Sequence, residues 1–329
     1  MPKASLPNLP VSAFFGIAKP SGPTSMAIIN DVKLLITRSK LFMDAENLEK
    51  SKGKKPKWKG KSDIKIGQGG TLDPLADGVL VVGVGKATKK LSQFLECTKE
   101  YRTTCLLGCE TDSYDSDGSR VRLAPWRHVT REQVESALAK FTGEILQTPP
   151  IFSALKMDGR PLYEYARQGI PLPRPIEARK VTVHSLELTE WKDTHNFRWP
   201  EQTISDVEKK AMEVALHGAG ETVVLDDAPE TPGEDQMPTA FVLQMRVSSG
   251  TYVRSIVHDL ARAVGSAGLV VTLSRTRQGR FALKPSEAGD QECVPWEVLE
   301  KATADAGEVD EDGWHTWERE VLARLEIVD

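Results

Sequence analysis

Residues 67–84 read Gly-Gln-Gly-Gly-Thr-Leu-Asp-Pro-Leu-Ala-Asp-Gly-Val-Leu-Val-Val-Gly-Val, and this stretch decides the expected fold. Its last six residues, 79–84, form a continuous apolar run, which is typical of a strand buried on both faces. The preceding glycines let the backbone pass close to a ligand or adopt positive φ angles. Pro74 fixes the backbone and biases Asp73 toward an extended conformation. The stretch therefore predicts one carboxylate on a stiff loop ahead of a buried strand, although an ordinary turn has the same composition.

Strands and helices are mixed on both sides of this stretch. Alternating or continuous apolar patterns predict strands at 14–18, 101–107, 181–188 and 241–247. Apolar spacing and capping residues predict helices after Thr24 or Ser25 and at 88–95, 130–141, 162–168 and 254–264. Because strands and helices do not alternate regularly, we expect an α+β protein with a mixed or antiparallel sheet rather than a doubly wound one.

Two polar segments interrupt this pattern and are interpreted as insertions. Residues 44–63 are rich in Lys, Gly and Pro and are expected to form a mobile loop. Residues 191–239 are rich in Gly, Pro and acidic side chains, with one short helix expected near 205–216.

The composition bounds the class of protein. The chain has 329 residues, of which 40% are hydrophobic and 27% charged, as in soluble globular proteins. It lacks an apolar stretch long enough to span a membrane and an apolar region of the kind found in secretion signals. Its four cysteines have no zinc-site spacing, so we expect a reducing compartment and no metal.

Charge is distributed unevenly along the chain. Residues 287–329 carry fourteen acidic and three basic side chains, whereas residues 50–65 carry eight lysines and one aspartate. A basic body with acidic appendages is compatible with a nucleic-acid partner, and the lysine-rich segment is expected to contact RNA phosphates without reading sequence. Solvated loops of both signs account for the charges equally well.

A second cluster, residues 248–255 (SSGTYVRS), places Arg254 after a strand and at the start of a helix. An arginine there can bind a buried carboxylate through two hydrogen bonds and keep it ionised, although a surface arginine is the simpler interpretation. The glycines at 83–86 (GVGK) only weakly resemble a nucleotide-binding loop.

Six blocks of sequence, in this order along the chain, resemble the TruB/Pus4-type tRNA pseudouridine-55 synthases. They are GIAKPSGPTS at 16–25, GGTLDPLADGVL at 69–80, KEYRTTCLLGCETDSYDSDG at 99–118, QTPPIFSALKMDGRPLYEYARQG at 147–169, SSGTYVRSIVHDLA at 248–261 and LSRTRQGRF at 273–281. The long insertions resemble the eukaryotic, fungal-type branch.

The resemblance implies the pseudouridine synthase fold, with a mixed, largely antiparallel sheet and flanking helices. It implies one catalytic domain at 14–281, interrupted by the two insertions. Residues 282–329 are then a short acidic C-terminal extension in place of a full PUA domain. The implied reaction isomerises uridine 55 in the tRNA T-loop to pseudouridine.

The resemblance also implies catalytic roles at matching positions. Asp73 matches the catalytic carboxylate, Tyr101 the tyrosine that stacks on the base and takes its C5 proton, and Arg254 the arginine that pairs with the aspartate. The sequence leaves open whether Asp73 attacks C1′, attacks C6 or acts as a base at C2′.

Further positions are expected to bind substrate or support the site. They are Lys19, Gln68, Gly70, Thr71, Tyr252 and Leu273, with Tyr252 and Leu273 lining the uracil pocket and Lys19 supporting the catalytic loop. Family members usually have histidine at the position of Gln68. Glutamine still donates and accepts hydrogen bonds but carries no charge.

The expected partner is the T-arm of tRNA, with some messenger RNAs as further substrates. We expect a monomer without cofactor, metal or membrane contact, in the nucleus and also in mitochondria or cytoplasm. The alternative is a non-catalytic RNA-binding protein or tRNA-folding chaperone on the same scaffold. A nucleotide-dependent oxidoreductase would rest only on the glycines near 67–85.

Overall fold

A computed structural model describes residues 8–51, 64–210 and 237–329. The chain divides into two compact units. The terminal unit comprises residues 1–99 and 274–329, and the central unit comprises residues 100–273.

Strands and helices follow one another in both units. The strands are β1 Ala13–Lys19, β2 Ile66–Gln68, β3 Asp77–Val84, β4 Lys99–Leu107, β5 Cys109–Thr111, β6 Arg120–Leu123, β7 Gly143–Gln147, β8 Lys156–Met157, β9 Arg160–Pro161, β10 Arg179–Lys192, β11 Ala240–Val247, β12 Gly268–Gln278, β13 Phe281–Ala282, β14 Gln291–Glu292, β15 Val294–Pro295 and β16 Glu326–Ile327. The α-helices that lie wholly within the described residues are α1 Ser25–Ile36, α2 Ala45–Ser51, α3 Ser92–Glu96, α4 Arg131–Leu138, α5 Leu162–Gln168, α6 Val253–Ala263, α7 Trp296–Ala304 and α8 Thr316–Leu322, and 3-10 turns cover Gly85–Lys90 and Ala139–Phe141.

The sheet of the terminal unit is built around β1 and β3, which pair antiparallel from Ala13↔Val84 to Lys19↔Gly78. Strand β15 adds to β1 in parallel and β16 adds antiparallel. The last part of β12 pairs with the start of β3 in parallel, at Ser274↔Asp77. The sheet is therefore mixed, as the sequence predicts.

Strand β3 is buried on both faces, which confirms the prediction from its apolar run. Leu80, Val82 and Val84 pack in a core formed with helices α1, α7 and α8. Val79 and Val81 point the other way, into a core that contains Phe14, Phe94 and Phe281. Helix α1 begins at the N-cap Thr24, whose side chain accepts from the Ala27 N–H, also as predicted.

Residues 282–329 are part of this unit's core. Trp296, Leu299, Trp314, Trp317 and Val321 are buried against α1 and β1. The acidic side chains of the segment lie on helices that also have an apolar face, and the overall composition gives no sign of that face. The predicted boundary at 281 thus does not coincide with a boundary between compact units.

The sheet of the central unit has the strand order β12-β4-β11-β10-β7. Strand β10 pairs antiparallel with β11 and with β7. Helix α4 begins with the predicted capping box of Thr130 and Gln133, and α5 ends at Gly169, which is left-handed at φ 61°. The predicted strands and helices of this unit are confirmed, with α4 continuing as a short 3-10 turn.

Two predictions need correction. Residues 45–51 are helical rather than a loop, because Asp44 accepts from the Asn47 N–H at 2.8 Å and Leu48 packs against the core. Residues 88–95 split into a 3-10 turn and the short α3. The start of the second insertion is anchored by Trp199, whose Nε1 donates to the Leu107 carbonyl at 2.9 Å.

Parts of both insertions lie outside the described residues, namely 52–63 with most of the lysine-rich segment, and 211–236. Of the short helix expected near 205–216, residues 206–210 are helical and the remainder is outside. Within the described ranges, the model contains no helix that is both long and apolar enough to cross a membrane.

Candidate active site

The Asp73 loop, residues 67–78, connects β2 to β3 in the terminal unit. Its first part is tied down where the Gly69 N–H donates to the Val81 carbonyl at 2.8 Å. Its second part is a tight turn in which the Ala76 N–H donates to the Asp73 carbonyl at 3.1 Å. Pro74 is the second residue of that turn, a position that its fixed φ suits. The stiff loop predicted from the sequence is confirmed, with Asp73 half-buried at the head of the turn.

Two side chains of β12 hold the loop through its carbonyl groups. The Arg275 guanidinium is 2% exposed and donates to the carbonyls of Val79 at 2.8 Å, Gly70 at 3.1 Å and Thr71 at 3.4 Å. The buried Gln278 amide donates to the carbonyls of Gly69 and Phe94. A buried carbonyl that lacks a hydrogen-bond donor destabilises the folded protein, so these contacts favour the observed path of the loop.

The segment 19–25 holds the loop from its other end. Lys19 Nζ donates to the Ala76 carbonyl at 2.6 Å and to the Pro20 carbonyl at 2.8 Å. Ser25 Oγ donates to the Leu72 carbonyl at 3.0 Å and accepts from the Leu72 N–H at 2.9 Å. The residues on both sides of Asp73 are therefore bonded to β1 or to the start of α1, which is the support expected of Lys19.

Gly78 is required where the loop enters β3. Its φ is +107°, and a Cβ added there would lie 2.2 Å from the Arg275 carbonyl oxygen. No other residue fits this close approach of two backbones without moving one of them.

Lys19 gives the loop a buried positive charge. Burial lowers the pKa of this ammonium to about 8, and the negative charges of Asp77 and Asp73 oppose part of that shift. Lys19 thus places a positive charge close enough to the Asp73 carboxylate for the two to interact.

The other residues of the loop that are predicted to bind substrate lie close to Asp73 in the sequence. Gln68 lies at the end of β2 and its amide donates to Thr71 Oγ1 at 3.2 Å. Gly70 has φ +130° and Thr71 is exposed. The structure thus brings Lys19, Gln68, Gly70 and Thr71 onto one support around Asp73, while their contacts with substrate stay predictions.

The Arg254 cluster lies in the central unit at the start of α6. The buried Arg254 guanidinium donates from Nη1 to the Ser113 carbonyl at 2.5 Å and from Nη2 to the Phe152 carbonyl at 3.1 Å. Nη1 also lies 3.4 Å from Oδ2 of the buried Asp115. Ser113 Oγ in turn donates to Asp115 Oδ1 at 2.6 Å.

Tyr252 lies directly before α6, where a buried glutamine fixes its peptide groups. Gln147 donates to the Tyr252 carbonyl at 3.0 Å and accepts from the Tyr252 N–H at 2.7 Å. Tyr101 is a buried residue of β4, and Leu273 is a buried residue of β12. Their roles as a stacking base partner and as pocket walls stay predictions.

The predicted catalytic residues are divided between the units. Asp73 belongs to the terminal unit, and Tyr101 and Arg254 belong to the central unit. The ion pair between Asp73 and Arg254 therefore stays a prediction.

Sequence reasoning missed several residues that build the site. Asp115 and Ser113 lie inside the matching block at 99–118, where the pattern T-D-S-Y-D-S-D-G signals a polar turn but not its partner. Arg275 and Gln278 lie inside the block at 273–281. A cation on a strand beside a fully apolar strand is the signal that could have identified Arg275, since a buried guanidinium requires acceptors.

Groups of three or more His, Cys, Asp or Glu side chains placed to hold a metal are absent from the described part of the chain.

Similarity to known proteins extends over most of the chain. Residues 56–207 match the family model described as TruB family pseudouridylate synthase (N terminal domain). The chain is 38% identical to tRNA pseudouridine synthase 4 of Schizosaccharomyces pombe, over 83% of this chain and 80% of that relative. It is 33% identical to tRNA pseudouridine synthase 4 of Saccharomyces cerevisiae, over 91% of this chain and 87% of that relative.

Among solved structures, the chain resembles one in the crystal structure of a Cbf5-Nop10-Gar1 complex. The TM-score is 0.52 at 20% identity, and the match covers 96% of this chain and 60% of that chain. This likeness concerns the fold, and it agrees with a mixed sheet flanked by helices.

Proposed function

The chain belongs to the TruB family of pseudouridylate synthases, and from this premise we propose that it converts uridine 55 in the T-loop of tRNA into pseudouridine. The observation that carries the proposal is the half-buried carboxylate of Asp73 on a turn whose neighbouring carbonyls are bonded to Lys19 and Arg275. A pre-organised carboxylate is the one group that the reaction cannot replace with solvent.

The reaction breaks the glycosidic bond between C1′ and N1, rotates the uracil and forms a bond between C1′ and C5. The C5 proton is then removed and N1, which is no longer bonded to the sugar, gains a proton, so that the composition of the nucleotide is unchanged. Asp73 can take part by attacking C1′, by attacking C6 or by removing a proton at C2′, and all three roles require its ionised form.

In this proposal the target uridine is flipped out of the folded T-loop into the site, because its reacting atoms are inaccessible inside a stack. Tyr101 stacks on the base and accepts the C5 proton, and Arg254 pairs with Asp73. Tyr252 and Leu273 line the uracil pocket, while the exposed edge of the Asp73 loop contacts the nucleotide.

The alternative of a non-catalytic RNA-binding protein or tRNA-folding chaperone is not favoured. Such a protein has no need for a carboxylate held in one orientation, or for Tyr101 and Arg254 at the family's catalytic positions. The oxidoreductase interpretation loses its basis as well. A Cβ added at Gly83 would contact Leu91 and Phe14, so this glycine serves packing rather than phosphate binding.

We extend the proposal to the finer expectations. The T-arm of tRNA is the recognised part, some messenger RNAs are further substrates, and the protein acts as a monomer without metal. Its compartments are the nucleus and also mitochondria or the cytoplasm. Fractionation of cells followed by immunoblotting tests the compartments, and light scattering tests the monomer.

The activity is tested by incubating the protein with an unmodified tRNA transcript and mapping pseudouridine at one-base resolution. We expect one new pseudouridine, at position 55, and none in a transcript that carries cytidine there. Binding of tRNA without any pseudouridine would support the chaperone alternative instead.

A further inference from the structure

A buried charge network lies behind the Arg254 cluster in the central unit, and no step of the proposed reaction uses it. Its centre is the buried Glu110, whose Oε1 lies 2.7 Å from Arg262 Nη2 and 3.0 Å from His258 Nε2. Arg122 approaches the other carboxylate oxygen at 3.5 Å. His258 is itself only 4% exposed, and its Nδ1 lies 2.9 Å from Asp259 Oδ1.

The ring of His258 is stacked against Tyr114. The ring centroids are 3.8 Å apart and the ring planes differ by 18°. Tyr114 has φ +63°, a left-handed conformation that a bulky residue adopts rarely and only under strain. Such a conformation persists only where its surroundings hold it, and the His258 ring is one of the groups that do so.

The residues on each side of Tyr114 are those that bind Arg254. Ser113 supplies the carbonyl and Asp115 the carboxylate that meet Arg254 Nη1. The left-handed Tyr114 between them turns the chain so that both acceptors face the same guanidinium nitrogen. Arg254 and His258 are four residues apart on α6, so they lie on one face of the helix. Helix α6 thus contacts the turn 113–115 at two points, one through Arg254 and the other through the His258 ring.

We propose that His258 is a positioning residue for the reaction, which fixes the turn 113–115 through its stack on Tyr114 and so fixes the guanidinium of Arg254. The proposal rests on the proposed function, because it assigns Arg254 a place in that reaction. The carboxylates of Glu110 and Asp259 flank the two ring nitrogens of His258, and Arg262 in turn binds Glu110.

The charges around His258 support this arrangement. Burial alone would lower the pKa of His258, but the hydrogen bonds with Asp259 and Glu110 and the charge of Glu110 outweigh burial and raise it. Burial alone would likewise raise the pKa of Glu110, but His258 and Arg262 bring it down to about 2. The groups that face the imidazole are therefore Glu110, Asp259, Arg262 and the Tyr114 ring, and the protonated ring is attracted to the face of the tyrosine.

The test compares His258→Ala with His258→Phe in single-turnover pseudouridine formation on tRNA. Alanine removes the stacked ring, and we expect the rate constant for chemistry to fall roughly 10- to 100-fold, with tRNA affinity within about twofold of wild type. Phenylalanine restores a flat ring without restoring the charge, so its rate should return to within about threefold of wild type. Thermal melting of each variant identifies any loss that is due to unfolding.

A double-mutant cycle that combines His258→Ala with Tyr114→Asn tests whether His258 acts through its stack on Tyr114. Asparagine tolerates the left-handed conformation but offers no ring. If the two residues act through the stack, the double variant should be no slower than the slower single variant. Unchanged chemistry in His258→Ala, no rescue by phenylalanine, or multiplicative losses in the double variant would each overturn the proposal. A wild-type protein that forms no pseudouridine in tRNA would instead contradict the proposed function. In that case the stack is tested by thermal melting alone, and additive losses of unfolding free energy at positions 258 and 114 would contradict it.

Discussion

The Asp73 loop and the Arg254 cluster are held in place by different kinds of interaction. In the loop, side-chain donors bind backbone carbonyls, as Arg275 does at Gly70 and Thr71 and Lys19 does at Ala76. In the cluster, Arg254 also donates to carbonyls, those of Ser113 and Phe152, but it lies beside the Asp115 carboxylate as well. Behind it, Arg262 binds the Glu110 carboxylate.

The difference matters because a carbonyl does not titrate and a carboxylate does. The loop keeps its acceptors at every pH, so its geometry depends on shape and on donors, of which Arg275 stays charged throughout. The cluster depends on the charge states of Glu110 and His258. We infer that the loop supplies a fixed position for Asp73, whereas the cluster supplies charge that responds to pH.

The largest effect is expected from Gly78→Ala, which breaks the loop by shape alone. The added methyl would overlap the Arg275 carbonyl oxygen, and φ is +107°. We expect a loss of about 4 kcal/mol or more in the free energy of unfolding, measured by urea denaturation.

Gly143→Ala is the matched control, because Gly143 also has a positive φ of +90° but open space around an added Cβ. Strain alone should cost about 1–2 kcal/mol there. Equal losses at the two glycines would show that the close approach at Gly78 has no role.

Arg275→Lys tests the comparison further, because it keeps the positive charge and removes the planar set of three donor nitrogens. The guanidinium meets three carbonyls with three separate nitrogens, whereas the single nitrogen of lysine cannot lie close to all of them, and each unserved buried acceptor costs about 1–3 kcal/mol. We expect a loss of about 3 kcal/mol in urea denaturation and a turnover reduced by more than about tenfold.

Arg131→Lys, on the exposed face of α4, is the control. Arg131 Nε meets the exposed Glu135 carboxylate at 2.8 Å, and a lysine can still pair with it, so we expect a loss below about 1 kcal/mol. If the two substitutions cost a comparable free energy of unfolding, the positive charge of Arg275 holds the loop, rather than its planar set of donors.

Lys19 is the one donor of the loop that titrates near neutral pH. Because its pKa is lowered to about 8, it is charged below that pH and neutral above it. We expect turnover to fall as pH rises above about 8, since the loop then loses its buried positive charge. Folding stability should rise between about pH 8 and 10.5, because the unfolded state then binds the extra proton.

Lys19→Arg should remove the fall in turnover, because arginine stays charged across this range. The pH profile of single-turnover rates for both proteins provides the measurement. A fall above pH 8 that persists in the arginine variant would assign it to another group.

The smallest expected effect is the change of the melting temperature with pH that arises from His258 and Glu110. The pKa of His258 is raised above 6.5, so its contribution is present below about 6.5 and is lost as pH rises through the folded value. The pKa of Glu110 is lowered to about 2, so its contribution is present above about 4.5 and is lost as pH falls. The melting temperature should therefore drop slightly on the alkaline side of pH 6.5 in wild type, and this drop should be absent in His258→Phe.

The sequence predicted the loop better than the cluster because the loop is contiguous. Three glycines, Asp73, Pro74 and a buried strand follow one another within 67–84, and local chain geometry is enough to predict their arrangement. The predicted strands and helices, including the N-cap Thr24 and the capping box at Thr130, are confirmed for the same reason.

The cluster could not be predicted in the same way because its members are distant in sequence. Asp115 and Arg254 meet only through the packing of α6 on the turn after β5, and neither residue identifies the other from sequence. Composition also misled at 282–329, where fourteen acidic residues beyond Ser286 conceal the apolar face formed by Trp296, Trp314 and Trp317.

The most direct test of the account is single-turnover pseudouridine formation by Asp73→Asn, compared with wild type and with Asp193→Asn. Asp193 is an exposed aspartate just after β10, so its variant controls for the loss of one negative charge. Asparagine at 73 keeps the shape of the side chain and removes its ionised form. We predict no pseudouridine from Asp73→Asn, tRNA affinity within about tenfold of wild type, or roughly 1.4 kcal/mol, and full activity from Asp193→Asn. Turnover by Asp73→Asn above a few per cent of wild type would contradict the account.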